Sequence, residues 1–174
     1  MKNLYGNYTF KDWILVLMRF IIGGMFVFSG LVKLFPIEPF ELKFVELGVT
    51  NWTYAPFFAR LVIAGELFLG FMLLLNIKPR FTAATSLSVL VFFTLYLVYD
   101  FLKNGNDGNC GCFGTIIVMT PLESIVKNLL MIPLVVALLL MNKREFNLKI
   151  PISIISLVIL AIAVPLILSP LENT

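Results

Sequence analysis

The sequence predicts an all-α protein, a polytopic bundle of transmembrane helices, and three observations carry that prediction. Of its 174 residues, 60% are hydrophobic and only 13% are charged. Mean hydropathy is +0.99, whereas a soluble domain of this length needs a charged surface. Five stretches, 13–34, 57–76, 81–102, 122–141 and 151–169, each approach the roughly 20 apolar residues that cross about 30 Å of hydrocarbon.

The first stretch is longer than the apolar core of a signal peptide, and no A-x-A-like site follows it, so it reads as a retained helix. The next three are introduced by the separators 36–56, 77–80 and 103–121, and the last by 142–150. Pro79, Pro121 and Pro151 sit at or just before helix starts, where a missing N–H costs nothing. Within lipid each segment must satisfy its own backbone, and no alternating ten-residue barrel pattern is present, so helices are the physical solution.

The first separator holds a further element. Phe40, Phe44 and Leu47 fall at i, i+4 and i+7, with Glu38, Glu41 and Glu46 elsewhere. That pattern predicts a short amphipathic helix on the membrane surface, ended by Gly48. Trp52 and Tyr54 suit an interfacial belt.

Lysine and arginine placement predicts orientation. With five spans, one side receives Lys2, Lys11, Lys78, Arg80, Lys143, Arg144 and Lys149, and the other only Lys43 and Lys103. Assigning the charges inside spans to the nearer face narrows the difference without reversing it. The N-terminus is therefore expected in the cytoplasm, and the 103–121 loop and the C-terminus outside.

Composition also excludes chemistry. There is no histidine, which removes His-based catalysis, His-ligated haem and the usual zinc sites. The net charge of +3 is scattered, so no nucleic-acid partner is suggested.

The loop contains Asn109-Cys110-Gly111-Cys112-Phe113-Gly114, with both cysteines of the chain. In an oxidising compartment neighbouring thiols pair, and a turn over Gly111 supplies the required Cα separation. So small a ring is a poor staple, because chain-entropy stabilisation grows with loop length. Strained, exposed bridges tend toward catalytic or regulatory roles. Three readings stand: a redox-active pair, a structural bridge or idle thiols, and a metal site. The metal reading lacks ligands, since two thiolates without histidine do not close a zinc site, although two-coordinate Cu(I) stays open. No metal site is assigned.

Charges inside the spans form the second signal. Arg19, Arg60, Glu66 and Lys127 fall within them, and Lys33 at an end. Such residues face bundle interiors, paired or lining cavities. Depth counting sets Glu66 near the midplane, within reach of Arg19, and gathers Arg60, Lys33 and Lys127 in the outer third. Arg60, Glu66 and Lys127 are the candidates for a cluster that tunes a thiolate or binds a quinone-like ligand; snorkelling lysines and a structural Arg–Glu pair are the alternative. Ser29, Gly30, Gly65 and Gly70 permit close helix packing.

Three stretches resemble the DoxX/MauE family of redox-associated integral membrane proteins. They are Phe28-Ser29-Gly30-Leu31-Val32-Lys33-Leu34, then Ala59-Arg60 through Glu66-Leu67-Phe68-Leu69-Gly70, and the Cys110–Gly114 run followed by Pro121, Ser124, Lys127 and Asn128. The last is similar to the MauE side of the family. The resemblance implies a four-helix membrane bundle over 1–145 with the cysteine loop at 103–121, and 146–174 as an additional C-terminal helix. It also implies a role beside a thioredoxin-like protein in maturing or oxidising a redox partner.

The functional expectation is thiol–disulfide exchange by Cys110 and Cys112 at the periplasmic face of a bacterial inner membrane. A thioredoxin-like protein or a maturing redox enzyme would be the partner and a quinone the membrane cofactor; thiol–disulfide oxidoreductase is the enzyme class this describes. The rival is a non-catalytic anchor or assembly factor, and behind it a metal handler.

Overall fold

Helices form where the apolar runs and their proline starts place them. In the computed structural model α1 spans Phe10–Val32, α2 Glu38–Glu46, α3 Ala55–Leu74, α4 Pro79–Asn104, α5 Pro121–Met141 and α6 Ile150–Leu168. The structure describes residues 10–46, 48, 50–106, 113, 114, 116–141 and 150–169, the side chains of 150–153 excepted, and among these there is no strand. Among the described residues four helices, α1, α3, α4 and α5, are long and apolar enough to cross a membrane. The expected fifth span is a shorter apolar helix, α6, lying along α3.

Small residues set how α1 meets α3. A Cβ on Gly70 would lie 2.9 Å from the Gly23 carbonyl, and one on Gly30 3.1 Å from the Leu67 side chain. Only glycine lets the two backbones approach so closely. Gly65, expected to share this role, has nothing within 4 Å of its would-be Cβ; Gly23, not anticipated, has the Gly70 carbonyl at 3.0 Å. These contacts run the helices antiparallel and bring Ser29 level with Glu66.

We call the end of the bundle where α1 begins proximal and the opposite end distal. The proximal halves of the four long helices are filled by Ile22 and Phe26 of α1, Leu73 of α3, Leu90 of α4, and Val135 and Leu138 of α5. The tight proximal turn uses left-handed Asn76 (φ 53°) and Lys78 (φ 42°) ahead of Pro79, and Thr82 Oγ1 donates to the Ile77 carbonyl at 2.8 Å.

At the distal end α2 lays Phe40 on Ala59, Ile63 and Leu67 of α3. It stops before Gly48, whose φ is +68°; Leu47 lies outside the described residues. Trp52 and Tyr54 are exposed there, as an interfacial belt requires. On α6 the buried residues Leu157, Ala161 and Pro165 form one i, i+4, i+8 stripe, while Ile155, Ile159 and Ile162 face outward. Large apolar side chains are exposed around the bundle, among them Phe20, Phe92, Leu95 and Leu130, the exterior that lipid stabilises.

Candidate functional site

Where the proximal core stops, the four long helices and α2 line a partly open cavity of about 360 Å³. Ser29 of α1, Glu66 of α3, Tyr96 of α4 and Asn128 of α5 reach its walls, and Phe44 of α2 and Phe113 bound it distally.

Glu66 is buried about halfway along α3, with 8% of its surface exposed. Its Oε1 accepts from Lys33 Nζ at 2.5 Å. Lys33 also donates to Ser29 Oγ at 3.0 Å and stands 5.3 Å from the centre of the Phe40 ring. Helical Cα–Cβ bonds tilt toward the N-terminus, so a lysine at the end of α1 folds back over Ser29 and reaches down to the carboxylate. Among the described residues, no group hydrogen-bonds the other oxygen, Oε2, although it is buried.

Arg19 does not approach this pair, contrary to the depth estimate. It lies beside Met72, Leu73 and Asn76 and directs Nε to the Leu15 carbonyl at 3.4 Å. The α1–α3 register explains the correction. Glu66 is level with Ser29, and Arg19 is ten residues back along α1, about 15 Å at the helical rise.

Arg60 separates from the other members of the expected cluster. Its Nη1 donates to Glu41 Oε1 at 2.7 Å and to the Pro56 carbonyl at 2.8 Å, and its Nε to the Ser169 carbonyl at 2.9 Å. It thus fastens α2 and the end of α6 to α3. Residues six apart on a helix point about 120° from each other, so Arg60 and Glu66 belong to different faces of α3. Glu41, placed by its sequence pattern on a polar face, is buried in this contact. Burial pushes its carboxyl up from the usual value, Arg60 pulls it down by hydrogen bond and charge, and Glu38 adds a smaller upward push.

Lys127 does line the cavity with Glu66. Its Nζ lies 4.4 Å from the centre of the Phe113 ring, a cation–π distance, and that ring also meets Phe28 at 5.7 Å. Asn128 Nδ2 donates to Thr94 Oγ1 at 3.1 Å, and Thr94 to the Leu90 carbonyl at 2.6 Å, linking α5 to α4 beside the cavity.

Cys110 and Cys112 lie outside the described residues. The residues that follow them are described. Phe113 is buried, and Gly114 has φ +60° with its would-be Cβ 2.9 Å from the Val32 carbonyl. The loop is anchored at its base as well. Thr120 N donates to Glu123 Oε2 at 2.9 Å while Glu123 N donates to Thr120 Oγ1 at 3.4 Å, a capping box, and Leu122 N donates to Asn106 Oδ1 at 3.1 Å. The T-x-x-E spacing of Thr120 and Glu123 is the sequence signal for this cap. Depth groups Lys33 with Arg60 and Lys127, or leaves it snorkelling, although the one-turn spacing of Ser29 and Lys33 points both along one face of α1. No three potential metal ligands gather among the described residues.

A bundle of apolar helices around a part-charged cavity defines a multi-pass integral membrane protein. Residues 11–142 match the family described as methylamine utilisation protein MauE, and the chain belongs to that family. It is also 34% identical, over 194 aligned residues, to a protein named TlpB from Flavobacterium psychrophilum. That alignment takes in 100% of this chain and 50% of the relative, so the chain spans half the relative's length. No solved structure matches it.

Proposed function

We propose that this chain supports thiol–disulfide exchange at a membrane surface through Cys110 and Cys112, with a thioredoxin-like protein as partner and a membrane quinone as the second redox couple. One observation carries the reading: Phe113, the next residue after Cys112, is seated in the wall of the cavity beneath Lys127. The cavity that Phe113 lines, about 360 Å³ in volume, is of a size that suits a small ligand. Membership of the MauE family supports a membrane redox-associated role.

The chemistry is a thiolate of one protein attacking a sulfur of the other's disulfide. One S–S bond breaks, a mixed disulfide forms, and the second thiol of the attacking pair resolves it. Two electrons and two protons are exchanged in all. The setting that suits this is a bacterial inner membrane with the cysteine loop in the periplasm, where dithiols meet oxidising conditions.

The test is the Cys110→Ser/Cys112→Ser double variant, expected to insert at wild-type level and to lose redox complementation. Single-serine variants are expected to accumulate mixed disulfides with a thioredoxin-like protein, and an impermeant thiol reagent to label the pair from the periplasmic side. Normal complementation by the double variant would overturn the reading.

A further inference from the structure

The polar equipment of the cavity is lopsided. Lys33 commits donors to Ser29 Oγ and Glu66 Oε1, and Asn128 commits one to Thr94. Glu66 Oε2, in contrast, is a buried acceptor that no described group hydrogen-bonds. A buried carboxylate oxygen left in that state costs free energy that a ligand's donor would recover. Lys127 and Tyr96 also line the cavity and can serve an oxygen of either redox form. What Glu66 Oε2 adds is a demand for a largely apolar molecule that brings it a hydrogen-bond donor, held between aromatic walls such as Phe93 and Phe113. The cavity's volume of about 360 Å³ exceeds the roughly 150 Å³ that suffices for benzene, so a substituted single ring fits.

The geometry points to a site that selects the reduced form of a membrane quinone, with the hydroquinone hydroxyl donating to Glu66 Oε2. This rests on the thiol–disulfide reading above and adds a direction to it. An oxidised quinone presents only carbonyl oxygens, whose lone pairs would face those of Oε2. The hydroquinone presents O–H, and a hydrogen bond to a charged acceptor is among the stronger ones. Tighter binding of the reduced form makes the bound quinone a better oxidant, by about 30 mV per tenfold in affinity for a two-electron couple. Electrons then run from the cysteine pair to the quinone. The dithiol loses two electrons and two protons and closes its S–S bond, and the quinone gains two of each and becomes the hydroquinone. The partner protein's dithiol is oxidised in turn when it reopens the disulfide.

The experiment is calorimetric titration of the full chain in lipid nanodiscs, under anaerobic conditions, with decylubiquinol and with decylubiquinone. The Cys110→Ser/Cys112→Ser background keeps the ligands from reacting. Decylubiquinol is expected to bind at least tenfold more tightly than decylubiquinone, and Glu66→Gln, whose amide can also donate, to bring the ratio below threefold. Equal affinities, tighter quinone binding, or no binding of either form would overturn the proposal, as would a folded Glu66→Gln with an unchanged ratio. If Glu66→Gln does not fold, Val89→Phe, which fills the cavity and leaves the ion pair in place, carries the second arm. Loss of both ligands supports the site, and wild-type binding by Val89→Phe overturns it. None of these outcomes depends on thiol exchange, which stands or falls separately on the double-serine complementation.

Discussion

Lys33 Nζ lies 2.5 Å from Glu66 Oε1, joining the end of α1 to the middle of α3 across 33 positions of sequence. Both side chains are buried. In such a setting, removing one partner costs much more than removing both, because the survivor is left as an uncompensated charge. Lys33→Met and Glu66→Leu are each expected to cost about 3–5 kcal/mol, and the Lys33→Met/Glu66→Leu double variant clearly less than their sum. Unfolding in detergent, followed for the four proteins of the cycle, measures the coupling. Additive losses would show that the pair contributes nothing jointly.

Arg60 and Glu41 form a second buried pair, which anchors α2. Glu41→Ala is expected to cost about 3–5 kcal/mol by stranding the guanidinium, with increased proteolysis near α2 as its signature. Glu41→Gln keeps a hydrogen-bond acceptor and is milder.

The same carboxyl sets a pH dependence. Burial outweighs Arg60 and raises its pKa in the folded protein above the ordinary value of 4.5, so the folded state holds this proton more tightly than the unfolded chain does. The resulting contribution to stability is full below pH 4.5 and is lost as pH rises through the raised folded value. Glu41→Gln lacks that titration. Its stability relative to wild type is therefore expected to improve from pH 4 toward pH 7, and a constant difference over that range (roughly the window in which native and unfolded carboxylates titrate) would contradict the assignment.

Glycine substitutions test the α1–α3 contact. A Cβ at position 70 would lie 2.9 Å from both the Gly23 carbonyl and the Val27 amide nitrogen, whereas one at position 65 meets nothing within 4 Å. Gly70→Ala is expected to cost about 1–3 kcal/mol as an overpacked site. Gly65→Ala is expected to be neutral or to stabilise by about 0.5–1 kcal/mol through helix propensity. Melting temperatures of the two purified variants decide it, and similar values would refute the register.

Gly114→Ala should unseat the loop. Its φ of +60° disfavours a side chain, and the added carbon would lie 2.9 Å from the Val32 carbonyl. Alkylation of the two thiols by an impermeant maleimide is expected to quicken severalfold, with little change in overall stability. An unchanged rate would mean that the Phe113–Gly114 seat does not restrain the cysteine pair.

Some of this was legible without coordinates. The long apolar runs specify spanning helices because lipid accepts few other backbone arrangements, and Phe40 and Phe44 announce α2 by their spacing. The face of Arg60 was also readable, since six residues of helical phase separate it from Glu66; depth alone grouped it with Lys33 and Lys127. The partner of Glu66 was harder. Counting residues from a membrane face gives height but neither the stagger of α1 on α3 nor the direction of a side chain, and so Arg19 took the place that belongs to Lys33. The stagger follows from Gly23 and Gly70, whose contact no single helix displays.

By itself, then, the sequence determined the helices, the spanning character and the rarity of its chemical groups, because each depends on local composition and on the solvent the segment must meet. Tertiary structure alone decided which buried charges are neighbours, that Arg60 is a fastener, and that Glu66 and Lys127 share one cavity with Phe113. Those are matters of register and azimuth between helices, and they are set by where small residues let backbones touch.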